Sequence, residues 1–189
     1  MAPWGHVMDD PWSERGVVEM YTGGQFDLFD PDPADVRLAD IAAGLAHTCR
    51  FGGQCRQFYS VARHSLHVSR ELPDDLRLRL LGLFYDAGEA YVGDVPRPLK
   101  AEYDAFERVE ERVLSAVWTG LGVDPPGDDE WERVMAADDR LLAYEAANVL
   151  EDGPWAGSPP DLGYDLGSGS ISAVRDRFHS QAETLLERV

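Results

Sequence analysis

The sequence predicts an all-α protein with a minor β element near its N-terminus, and three observations carry that expectation. Apolar residues recur near helical period in segment after segment, proline and glycine clusters fall between those segments, and a loosely alternating stretch runs from Val17 to Phe29. Five or six main helices are expected.

In chain order, residues 1–20 carry Trp4, Trp12 and Met20 among acidic and proline-containing turns without periodicity. Val17 to Phe29, centred on Thr22-Gly23-Gly24, reads as a short hairpin, and residues 1–30 as a flap on a helical body. After Pro31-Asp32-Pro33, Asp35 or Asp32 is placed to cap a helix carrying Val36, Leu38, Ile41, Ala42 and Leu45, which ends near His47. In the following loop, CRFGGQCRQ, Gly52 and Gly53 let the backbone turn tightly and approach a ligand.

Ser60 to Leu72 forms the next helix, buried through Val61, Leu66, Val68 and Leu72, and Pro73 stops it. Leu76 to Tyr91 is expected as one further helix, broken at Gly93-Asp94-Val95-Pro96-Arg97-Pro98. Ala101 to Leu121 is amphipathic, with Tyr103, Phe106, Val109, Val113, Leu114 and Val117 inward, and Asp124-Pro125-Pro126-Gly127 makes the turn after it. A helix over Asp129 to Leu150 follows. From Glu151 the composition shifts to Gly, Pro and Ser, so 151–170 reads as a loop and 171–189 as a docking helix with Val174, Phe178, Leu185 and Leu186 inward. That last helix is too small to fold alone, which makes 1–189 a single domain with its helical core at 31–150.

The formal charge of −18, from 35 acidic against 17 basic residues with Lys100 the only lysine, argues against long nucleic acid or anionic membrane as a partner. Such a surface resembles that of halophile proteins, although a GC-rich genome would also favour arginine over lysine. No apolar run approaches the ~20 residues that cross a bilayer, and the start MAPWGHVMDDPW lacks a basic and apolar leader, so a cytoplasmic protein is expected. Cys49 and Cys55 match no common zinc spacing and read as reduced, structural thiols.

The candidate chemistry lies between Phe58 and Lys100. His64 and His67 are three apart on one expected helix and Asp86 and Glu89 three apart on the next, so each pair shares a face. Two such helices in contact place imidazole and carboxylate groups, the usual ligands of a hydrolytic divalent metal, on opposite walls of one crevice. Asp86 and Glu89 sit in an almost wholly apolar stretch, where an ion needs a metal, an arginine or a functional duty; a structural salt bridge is the alternative. Asp94 reads as a turn residue, Lys100 as a phosphate contact or a surface charge, and His179 as structural, without acidic company.

The stretches TGGQFDL, ADIAAGLAHTCRFGG, YSVARHS, YDAGEAYVGDVPRPLK and AADDRLLAYEA, from about Tyr21 to about Ala146, resemble the HD-domain phosphohydrolases, in the branch related to 5'-deoxynucleotidases. The resemblance implies an HD-type helical bundle, a divalent metal (Mn, Co, Mg, Zn or Fe) held by His64, Asp86 and Asp138, and a homodimer. It implies hydrolysis of a phosphomonoester of the (deoxy)nucleoside 5'-monophosphate class, with Glu89 moving the proton of an activated water and Arg50 on the phosphate oxygens. Phe51 would wall the base, Asp94 face the sugar, Lys100 reach the phosphate, and Glu145 support the site. One position departs from the pattern: the family's His-Asp pair is here Tyr85-Asp86. A phenol, normally near pKa ~10, is a poor ligand for such metals, and His67, one turn from His64, is a candidate substitute. A nucleotide-binding or scaffolding protein that keeps the pocket without turnover is therefore the alternative function.

Overall fold

The computed structural model describes residues 16–151, 159–167 and 169–189. The expected tryptophan-bearing start up to residue 15 and part of the expected 151–170 loop lie outside the described residues. The protein is mostly helical, with one two-stranded antiparallel sheet near the N-terminus, as the periodicity predicts.

Strands β1 (Val17–Glu19) and β2 (Gln25–Asp27) pair with Val18 opposite Phe26, and the turn between them is the Thr22-Gly23-Gly24 stretch. This hairpin is a clasp on the first helix, α1 (Leu38–His47). The buried carboxylate of Asp40 accepts from the Thr22 backbone N–H at 2.7 Å and its hydroxyl at 3.0 Å, and Phe26, fully buried, packs on Tyr91 with ring centroids 4.2 Å apart. The expected cap differs. Asp32 caps a one-turn 3-10 helix at Pro33–Asp35, accepting from Ala34, whereas α1 starts after Arg37 with no side-chain cap. Proline at the first helical position favours that separate turn.

Helix α2 (Val61–Glu71) is capped by the Ser60 hydroxyl and α3 (Leu76–Phe84) by the Asp75 carboxylate. The helix expected over 76–91 is broken. After Phe84 the N–H groups of Ala87, Glu89, Ala90 and Tyr91 bond three residues back rather than four, and a short α4 (Glu89–Val92) resumes beyond. This tighter winding leaves Asp86 and Glu89 aligned, because residues three apart eclipse in a 3-10 turn. The helix expected over 101–121 begins as α6 only at Asp104 (Asp104–Gly120), and a separate α5 (Arg97–Glu102) starts within the stretch expected to be a break, the two divided at Tyr103, whose φ of −129° and ψ of 84° are not helical. Tyr103, assigned inward from periodicity, is 59% exposed for that reason.

Helix α7 (Asp128–Val149) begins where the Glu130 carboxylate accepts from the Gly127 N–H at 2.9 Å and binds Arg77 at 2.6 Å, and α8 (Ile171–Leu186) begins at a Ser170 cap. Helices α1, α2, α3 and α8 form the centre. Val174, Phe178, Ala182 and Leu185 of α8 are buried, with the Phe178 ring edge-on to Phe84 at 5.7 Å. Phe178→Ala would cost about 3–5 kcal/mol in such a core. Against α4, α1 approaches so closely that a Cβ on Gly44 would stand 2.5 Å from the Ala90 carbonyl oxygen. This contact positions Glu89 beside the loop that leaves α1.

Candidate functional site

Five segments meet at the site: the loop after α1, helix α2, the turn after α3, α4 with α5, and α7. The loop is pinned at both ends, by Arg50 N–H to the Tyr59 carbonyl at 2.9 Å and Val61 N–H to the Thr48 carbonyl at 3.0 Å. At its tip Phe51 has a φ of +57°, a conformation costing a non-glycine residue roughly 1–3 kcal/mol, and Asp94 holds it there by accepting its N–H at 3.0 Å. Asp94 therefore ties α5's approach to the Arg50 loop, and the Arg50 guanidinium lies over the Phe51 ring at 5.4 Å.

His64 is fully buried at the centre. Its Nδ1 lies 2.7 Å from Glu145 Oε1, and its Nε2 lies 3.0 Å from Asp138 Oδ1, 3.9 Å from Asp86 Oδ2 and in a short hydrogen bond with the Tyr85 hydroxyl. The Tyr85 hydroxyl donates to Asp138 Oδ1 at 2.9 Å, which requires His64 Nε2 to be the donor toward Tyr85. With Nδ1–H on Glu145 as well, His64 is an imidazolium. Burial and Arg50 oppose that charge, but Glu145 and Asp138 hold its pKa up to about 9. In return, although burial favours the neutral acid, the His64 hydrogen bond and the charges of His64 and Arg50 hold Asp138 down to about 2.

Glu145 is the shared anion of the site. Fully buried, it accepts from the Tyr59 hydroxyl at 2.6 Å and contacts Arg50 Nε at 3.2 Å, at an angle that makes an ion contact rather than a hydrogen bond. Arg50 Nη1 also lies 3.7 Å from Asp86. His67 does not join this centre: its ring bonds Tyr59 at 3.1 Å and stacks on Tyr164 at 4.5 Å. Because the Tyr59 proton goes to Glu145, His67 Nδ1–H is the donor to Tyr59, and burial pushes His67 down to about 4.

Toward solvent the site is closed by cations. Arg97, 67% exposed, reaches Asp138 Oδ2 at 2.8 Å and Asp139 at 3.5 Å, while Lys100 lies 3.4 Å from Glu89 and 2.6 Å from Glu110. Glu89 is buried with Oε2 unpartnered, and burial, Asp86 and Asp94 raise its pKa well above the usual carboxyl range. The structure thus brings together His64, Tyr85, Asp86, Glu89, Asp94, Asp138, Arg50, Phe51 and Lys100, and directs His67 elsewhere. Arg97 and Tyr59 carry no role in the sequence reading. Both lie in stretches that carry the resemblance, YSVARHS and GDVPRPLK, yet nothing in their spacing distinguishes them from a surface arginine and a core tyrosine. His179, expected to lack acidic company, lies 3.4 Å from Glu183 across one exposed helical turn.

The donor set does not fit a divalent ion in this arrangement. The Tyr85 hydroxyl fills the point between His64 and Asp138, Arg97 takes the second Asp138 oxygen, and His64 has no lone pair to offer when doubly protonated. Burial, Asp86 and Asp138 raise the Tyr85 pKa well above its ordinary value, so the hydroxyl is a neutral donor and not a phenolate ligand. Among the described residues no group of three or more His, Cys, Asp or Glu side chains has metal-holding geometry.

No family model matches the sequence. The chain is 32% identical over 137 residues to the uncharacterized protein YfdR of Escherichia coli K12, covering 72% of this chain and 74% of YfdR. It is 35% identical over 145 residues to an uncharacterized protein of Rhodobacter capsulatus, again over 72% of this chain and 74% of the relative. Identity of this order over most of both chains makes this protein a member of the family that contains YfdR.

Proposed function

We propose that this chain is an HD-type pocket protein that binds a phosphomonoester of the (deoxy)nucleoside 5'-monophosphate class with little or no metal-dependent turnover. One observation carries the reading: the neutral Tyr85 hydroxyl lies between His64 and Asp138, with the charges there balanced by His64, Arg50 and Arg97. A phosphate entering past the exposed Arg97 exchanges that guanidinium's carboxylate for a bidentate phosphate contact, with Lys100 beside it. Phe51 walls the base and Asp94 stands on the sugar side. A cytoplasmic setting belongs to the same proposal, supported by the free thiols of Cys49 and Cys55. No helix among the described residues is long and apolar enough to cross a membrane.

A second reading, metal-dependent phosphohydrolysis, is favoured by Glu89. A buried carboxyl whose protonated form is favoured by burial, Asp86 and Asp94, with one oxygen unpartnered, is suited to give a proton to a leaving oxygen. Calorimetric titration with a panel of nucleoside 5'-monophosphates, run with phosphate-release assays with and without Mn²⁺ or Co²⁺, separates the two. The first reading expects saturable binding without added metal, weakened in Arg97→Gln, and release that becomes appreciable only in Tyr85→His. Metal-stimulated release by the unaltered chain would establish the second reading. Absence of binding and release alike would defeat both.

A further inference from the structure

The basic residues of this acidic chain are not spread evenly. Five of the 17, Arg63, Arg70, Arg79, Arg177 and Arg188, line one continuous groove between α2 with the start of α3 on one side and α8 on the other. Arg63 and Arg70 are two helical turns apart on one face of α2, spanning ~10 Å, while Arg177 lies on α8 and Arg188 in the turn just past its end. The groove has two lobes, of about 370 and 620 Å³, and both are lined by Arg70 and Arg177. Those two guanidinium groups mark its waist.

Two of the groups, Arg70 and Arg79, are held by neighbours. Arg70 lies over the Tyr164 ring at 5.3 Å, and Tyr164 is itself stacked on His67. Arg79 meets Asp74 at 3.1 Å through one terminal nitrogen, while its Nε is buried without a hydrogen-bond partner. Among the described residues, Asp165 is the one carboxylate lining the groove, and no carboxylate pairs with Arg70, Arg177 or Arg188. In a chain of net charge −18, placing the Arg70, Arg177 and Arg188 guanidinium groups along one groove without a carboxylate partner produces repulsion that a bound anion relieves.

We propose that this groove binds an anion carrying a chain of two or more phosphates, one of them held between Arg70 and Arg177. The guanidinium fork matches phosphate oxygens bidentately, and Ser180 and Gln181 on α8 add neutral donors along the same wall. A single phosphate contacts one arginine pair, whereas a phosphate chain can follow the row of arginines, which already spans ~10 Å between Arg63 and Arg70. The site is distinct from the candidate pocket. His67 lines the smaller lobe and stands between the two, joined through Tyr59 to Glu145. The proposal is independent of what that pocket binds.

The test is calorimetric titration of the full chain with inorganic tripolyphosphate at physiological ionic strength and without divalent metal, beside ATP and orthophosphate. Saturable tripolyphosphate binding is expected, tighter than that of orthophosphate, and weakened about tenfold or more in Arg70→Gln/Arg177→Gln and in Arg177→Gln/Arg188→Gln, both of which change exposed side chains. Circular dichroism confirms that both variants are folded, and Arg97→Gln, at the mouth of the other pocket, leaves this affinity unchanged. Equal binding of ATP and tripolyphosphate assigns recognition to the phosphate chain alone; tighter ATP binding, lost in the same variants, assigns a nucleotide carrying that chain. Absence of saturable binding, affinity unaffected by both double variants, or loss in Arg97→Gln instead would overturn the proposal.

Discussion

His64 and His67 lie one helical turn apart on α2, both buried, yet one is driven toward the imidazolium and the other toward neutral imidazole. Burial disfavours the imidazolium at both. His64 nevertheless rises to about 9 because Glu145 lies 2.7 Å from one nitrogen and Asp138 3.0 Å from the other, whereas His67 falls to about 4 because burial, aided by the charges of His64, Arg63 and Arg177, meets no carboxylate bonded to its ring, only the neutral Tyr59 hydroxyl. Glu145 acts on both rings, but through contact at one and through Tyr59 at the other. Burial therefore sets the neutral state in this core unless a carboxylate bonded to the ring overrides it.

Removing Glu145 breaks the comparison most severely. Glu145→Gln leaves His64 and Arg50 as buried cations facing one fewer anion, and a loss of about 3–5 kcal/mol in denaturant unfolding at neutral pH is expected. A loss below about 1 kcal/mol would mean that Glu145 is not what balances them. Tyr85→His is the next largest. Replacing the hydroxyl between His64 and Asp138 by a nitrogen ligand raises divalent-metal affinity roughly 10–100-fold, read by parallel metal titrations of the two proteins. Unchanged affinity would show that the hydroxyl is not what disfavours the ion.

The pH dependence sharpens the same contrast. His64 has a folded pKa of about 9 against an ordinary 6.5, so its stabilising contribution is complete below about 6.5 and is lost as pH rises through about 9. Asp138, held at about 2 against 3.8, contributes above about 3.8 and loses that contribution as pH falls through about 2. Imidazole NMR titration beside denaturant unfolding checks this, and a His64 resonance titrating near 6 would contradict the imidazolium assignment. The smallest effect is expected of His67→Phe, which forfeits one hydrogen bond to Tyr59 and keeps the stack on Tyr164, a loss of about 0.5–1.5 kcal/mol. A loss above about 3 kcal/mol would place His67 inside the charge-balancing centre with His64.

Much of the fold is legible in the sequence, because amphipathic period and punctuation are local properties: Ser60 and Pro73 bracket α2, Gly127 precedes α7, and the apolar row of α8 faces the core. The breaks after Phe84 and at Tyr103 are not legible. A 3-10 turn keeps right-handed dihedral angles and nearly the same residue order on each face, so periodicity passes through it unchanged. Misassigning Tyr103 as inward follows directly from reading one helix where there are two.

The sequence by itself determined a helical chain with a small clasp, and it singled out His64, Asp86 and Glu89 as chemically unusual residues, since imidazoles and carboxylates in apolar helices stand out by composition, whereas Asp138 was pointed to by the resemblance alone. Only the tertiary structure decided what surrounds them. Glu145 meets His64 across 81 positions and Tyr85 meets Asp138 across 53, and Arg97 and the five grooved arginines acquire their neighbours only when α2, α5, α7 and α8 pack. Spacing specifies which face of its own helix a side chain occupies, but the partner on that face is set by where other helices land, and at this site the partner decides charge, ligand capacity and access to solvent.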